Sequence, residues 1–71
     1  MLVKYRQTIM NKAETKELAK ILAYGAHLGA DYTSRALSAM WRAARTTRSQ
    51  NAIMAAAVAA GVTTNPEFIA G

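Results

Sequence analysis

The chain has 71 residues and no cysteine, so neither a disulfide nor a thiolate metal site can reinforce a core that is marginal at this length. Nine Lys and Arg against four Asp and Glu leave a net charge of +5, which directs attention to an anionic partner: nucleic acid, a membrane surface or an acidic protein. One histidine and four acids are too few for a zinc site, and no apolar run approaches the ~20 residues of a membrane span.

Residues 1–10, MLVKYRQTIM, read as an irregular or extended arm that mixes apolar Leu2, Val3, Tyr5 and Ile9 with Lys4, Arg6 and Gln7. A single strand has no ladder partner of its own, so any β structure here would have to be borrowed from another chain. Lys4 and Arg6 are followed by no apolar stretch of the kind a secretory signal needs.

A helix is expected to begin at Asn11, with Glu14 three residues on to complete a capping box. Leu18, Ile21, Leu22, Gly25, Leu28, Tyr32, Leu37 and Met40 then recur at the intervals of an amphipathic helix. At about 100° per residue, Lys16, Lys20, His27, Asp31, Ser34, Ser38, Arg45 and Ser49 share one polar sector. That phase is kept across Gly29-Ala30-Asp31, which favours one long helix, continuous or kinked, over 11–47. The alternative is a break, with Gly29 as a C-cap and Asp31 as the next N-cap.

Ser49 is expected to cap a second helix over 49–61, stopped by Gly61. Its body, Ala52-Ile-Met-Ala-Ala-Ala-Val-Ala-Ala, carries no polar side chain on any face, so it is expected either to be buried all round against another chain or to bury only the stripe Ile53, Met54, Ala57 and Val58. In the tail, 62–71, Asn65-Pro66-Glu67 signals one more turn that pins Phe68 and Ile69. The expected fold class is therefore all-α: a long helix or two, a shorter alanine-rich helix, an irregular N-terminal arm and a C-terminal tail in one small domain.

Chemistry is thinly represented. His27 and Asp31 stand four residues apart and would face each other on a continuous helix, with Tyr24 the one neighbour able to join them. There is no phosphate-cradling glycine loop and no paired carboxylate set. The expectation is a protein that is not an enzyme, with no cofactor, no metal and no small-molecule substrate.

Packing features are richer. Gly25-xxx-Gly29, flanked by Ala26 and Ala30, allows another helix to come close, whether from another molecule or the chain's own alanine-rich helix. The predicted interface comprises Leu18, Leu22, Gly25, Gly29, Trp41, Ile53, Met54 and Val58, and Gly29→Leu is expected to weaken association without loss of helicity. Arg35, Arg42, Arg45 and Arg48 form a predicted contact set for an anionic partner, with Trp41 interleaved.

Three functional classes follow. The first is an interaction or structural protein that packs into a homo-oligomer or onto a larger assembly, cytoplasmic or part of a virion. The second is a basic nucleic-acid-binding protein using the four arginines. Ala57-xxx-Gly61-Val62-Thr63 resembles the turn of a helix-turn-helix over about seven residues, but the segment after it is short, acidic at Glu67 and without Lys or Arg. The third, least favoured, is a membrane-surface protein with Lys12, Lys16 and Lys20 beside an apolar stripe.

Overall fold

A computed structural model describes residues 12–69. Among them the chain forms three helices and no strand: α1 (Lys12–Leu28), α2 (Ala30–Ala43) and α3 (Thr47–Ala60). The expected arm over 1–10 and the Asn11 cap lie outside the described residues.

The expected long helix over 11–47 is divided at Gly29. The Gly29 N–H donates to the Gly25 carbonyl at 3.0 Å and closes α1, while its own carbonyl accepts the Thr33 N–H at 3.2 Å and opens α2. One residue thus ends one helix and starts the next, at φ 100 and ψ 176, a backbone region that only glycine adopts without strain. Asp31 lies inside the first turn of α2 and does not cap it. The joint turns α1 and α2 against each other, and α2 also packs on α3, so α2 is the middle element.

Breaking the chain at Gly29 frees α2 to choose its own rotation. Ser34, Ser38 and Ser49, expected on the exposed polar sector, are 0%, 1% and 4% exposed. Their small side chains let helices approach, and two find partners: Ser49 Oγ donates to Glu14 Oε1 at 2.9 Å, and Ser38 Oγ accepts the Ile69 N–H. Ser34 Oγ has no hydrogen-bond partner among the described residues. The apolar centre is Ile21, Leu37, Ile53, Ala57 and Val62, with Leu18, Leu22, Tyr32, Met40, Trp41 and Phe68 packed around it. Leu37 and Ile53 are wholly buried, and each stabilises the fold by ~1.5–3 kcal/mol.

α3 starts two residues earlier than expected because Thr46, not Ser49, caps it. The Thr46 hydroxyl accepts the Ser49 N–H at 3.0 Å. Gly61 stops the helix as its sequence position predicts, at φ 72 and ψ 25. The Gly61 N–H bonds to Val58 O at 3.0 Å and the Val62 N–H to Ala57 O at 3.1 Å, the paired bonds of a Schellman motif. Buried Val62 and Ala57 supply its usual apolar contact.

Beyond Gly61 residues 62–69 form turns, so no recognition helix follows and the helix-turn-helix likeness ends there. Asn65 organises this segment: its carbonyl accepts the Phe68 N–H at 2.9 Å and its Oδ1 the Glu67 N–H at 2.8 Å. Three successive contacts then lay the tail along α2. Asn65 Nδ2 donates to Asp31 Oδ1 at 3.1 Å, Arg35 Nε to Glu67 Oε1 at 3.0 Å, and the Ile69 N–H to Ser38. Steps of four and three residues on a helix rise about 6 and 4.5 Å. Asp31, Arg35 and Ser38 thus lie within about two turns of one another on α2, and the turns of the tail follow that stretch.

Candidate functional site

An open groove of about 460 Å³ runs beside the Gly29 joint. Leu22, Gly25 and Ala26 of α1, Gly29, Ala30 and Thr33 form one side; Ala56, Ala59 and Ala60 of α3, with Gly61 and Val62, form the other. The groove exists because these positions carry almost no side-chain bulk and because both glycine joints, Gly29 and Gly61, lie at this end of the molecule. None of its lining residues among those described is charged. Its sole hydroxyl, on Thr33, donates to the Gly29 carbonyl at 3.0 Å. Such a surface can receive apolar groups or a closely approaching helix.

The predicted interface residues separate into different environments. Leu22, Gly25 and Gly29 line the groove. Leu18 and Trp41 are half-buried against the chain's own core, and the Trp41 carbonyl accepts from Gln50 Nε2 at 3.4 Å. Ile53 is fully buried and belongs to that core, with no surface for a partner. Met54 is half-buried, whereas Val58 faces outward at 62% exposure. Tyr24 and Leu28 of α1, at 52% and 62%, are the other large apolar side chains left in solvent among the described residues.

Gly25 and Gly29 act for different reasons. A β-carbon on Gly25 would meet Thr33 of α2, so Gly25 is a contact within the chain. A β-carbon on Gly29 would meet open space, so that glycine is required by its positive φ. Gly29→Leu would therefore strain the α1–α2 joint itself.

The four-arginine set also divides. Arg35 is bound to Glu67, and this hydrogen bond, reinforced by the opposite charge, raises the already high guanidinium pKa. Arg42 lies in the last turn of α2, Arg45 between the helices and Arg48 in the first turn of α3, all exposed. The His27–Asp31 pairing does not form, because the Gly29 joint puts the two on different helices and Asp31 receives Asn65. Among the described residues no three His, Cys, Asp or Glu side chains converge as a metal site would need. No described helix is long and apolar enough to cross a membrane.

The sequence allowed a contact of the Gly25–Gly29 stretch with the chain's own alanine-rich helix, but it singled out neither Thr33 and Val62 nor Ala56, Ala59 and Ala60 within that helix. The signal present was the run of small residues in both segments, but which runs face each other depends on the bend at Gly29. Comparison with protein-family models, curated proteins and solved structures found no match.

Proposed function

We propose that this chain is a non-enzymatic interaction module that receives a helix of another molecule, a second copy in the first instance, in the groove between the α1–α2 joint and the end of α3. The observation that carries this reading is the groove itself: open, uncharged and floored by Gly and Ala, which allow a helix backbone to approach closely. The same chain leaves large apolar side chains in solvent, Leu28 and Val58 at 62% exposure and Tyr24 at 52%, so one molecule offers both hollow and knobs. A small core, without disulfides, gains from such association.

Light scattering during size exclusion, with circular dichroism on the same peak, tests the proposal. A helical oligomer of defined mass is expected. Ala59→Glu puts a charge at an exposed position of the groove wall and should give a monomer of unchanged helicity; Ala39→Glu, exposed on α2 outside the groove, should not. A wild-type chain that stays monomeric and fully helical at high concentration would sink self-association.

A further inference from the structure

We infer that the end of the molecule opposite the groove is a contact surface for the phosphate backbone of nucleic acid. The start of α1 and the α2–α3 junction are brought together there, tied by the hydrogen bond from Ser49 to Glu14 across 35 residues. Lys12, Lys16, Arg42, Arg45 and Arg48 belong to these segments. Their acidic counterparts are Glu14 and Glu17, and the Glu14 carboxylate is turned toward Ser49.

The charges of the two ends are used differently. Beside the tail, Asp31 is hydrogen-bonded to Asn65 and Arg35 is paired with Glu67. At the junction, no hydrogen bond or ion pair within the described residues engages Arg42, Arg45 or Arg48. Two of the three are also placed against local electrostatics. Arg42 suits the C-terminal turn of α2, but Arg45 and Arg48 flank the start of α3, which has no acid in its first turn. Cations are disfavoured at a helix N-terminus. An anion bound there would relieve both arginines.

The composition of the surface selects the partner. Exposed positions from 42 to 48 are Arg42, Ala43, Arg45, Thr46, Thr47 and Arg48, with no large apolar side chain to enter a lipid surface. A protein partner held tightly would need a desolvated apolar or aromatic anchor, and Trp41 is instead packed against the core. Guanidinium forks suit phosphate oxygens, and a polyphosphate backbone needs only charge to be held. Binding of this kind is not sequence-specific.

The test is fluorescence anisotropy of the full chain with a labelled DNA duplex and a labelled single strand of equal length. Affinity is expected to fall on the order of 100-fold between about 50 and about 200 mM salt, as for roughly four phosphate contacts. Arg42→Gln/Arg45→Gln/Arg48→Gln, with folding checked by circular dichroism, should make the slope of log K against log salt shallower by about 2.7 on the duplex and about 2.1 on the single strand. Arg35→Gln should bind as wild type. Because the two surfaces are separate, Ala59→Glu should also retain binding, which isolates this proposal from the fate of the groove reading. Absence of binding at about 50 mM salt, or a triple variant with the wild-type slope, overturns the proposal. Binding to phosphatidylserine vesicles or polyglutamate as tight as to nucleic acid overturns the choice of partner.

Discussion

A β-carbon built on Gly25 would lie 2.0 Å from the hydroxyl oxygen of Thr33 and 3.1 Å from its β-carbon. The two residues belong to successive helices, and the same Thr33 hydroxyl donates to the carbonyl of Gly29, the joint between them. The closeness of α1 to α2, the joint geometry and one wall of the groove are therefore a single packing arrangement.

Gly25→Ala is accordingly expected to destabilise the chain by about 1–3 kcal/mol, the usual cost of forcing an atom into a packed contact. Most of that cost resides in the hydroxyl, so Thr33→Ala in the same chain should recover part of it. Urea unfolding of the two single variants and the double variant measures this; additive losses would show that the contact is not the cause.

Ser34 is fully buried in the middle of α2 and its hydroxyl has no hydrogen-bond partner among the described residues. Leaving such a group unsatisfied costs about 1–3 kcal/mol, and alanine also has the higher helix propensity. Ser34→Ala should raise the urea midpoint at unchanged m-value. A lowered midpoint would mean that the hydroxyl is satisfied in solution.

The hydrogen bond from Ser49 to Glu14 joins the start of α3 to the start of α1. A hydrogen bond to a charged group is worth about 1.5–3 kcal/mol. Ser49→Ala and Glu14→Gln should each destabilise, with a coupling energy of at least about 0.5 kcal/mol in a double-mutant cycle. A coupling near zero would remove this tie from the account of how the basic end is assembled.

The two glycine joints differ in how far they exclude other residues. Gly61, at φ 72 and ψ 25, occupies the left-handed helical region, where alanine costs roughly 1–2 kcal/mol. Gly29, at φ 100 and ψ 176, lies where the penalty is about 1–3 kcal/mol and nearly all residues but glycine are absent. Gly29→Ala should therefore lower thermal stability more than Gly61→Ala, and the reverse order would contradict the geometry of the α1–α2 joint.

The pair of Arg35 and Glu67 is largely in solvent, with side chains 68% and 42% exposed. Its pKa shift is upward for Arg35. Stability from that shift is fully present below the ordinary guanidinium value and lost only as pH rises through the higher folded value. Thermal melts should show no contribution from Arg35 to pH dependence between about pH 6 and pH 10. Any loss in Glu67→Gln should shrink as salt is added.

Much of this architecture is readable in the chain. Helical periodicity from Leu18 onward, the alanine-rich third helix, its stop at Gly61 and the turn at Asn65 are local features, and each is dictated by side chains within a few residues of where it acts. The rotation of α2 is not local. Polar residues keep one phase from Lys16 to Ser49, as if along one long helix, yet Ser34 and Ser38 are buried once the backbone bends at Gly29, and Ser49 once it turns again after Ala43. Serine is small enough for either side of a helix, so its position in the pattern does not decide its burial.

The sequence by itself determined that this protein is helical, where two of its breaks can fall, and that chemistry-bearing residues are scarce. Only the tertiary structure decided that Gly29 bends, that Arg35 is spent on Glu67 while Arg42, Arg45 and Arg48 remain together, and that small residues far apart in sequence make one groove. The reason is energetic. Keeping or losing a helical glycine changes local free energy by about 1 kcal/mol, whereas burying Leu37 and Ile53 is worth ~1.5–3 kcal/mol each, so long-range packing decides between the straight and bent chain.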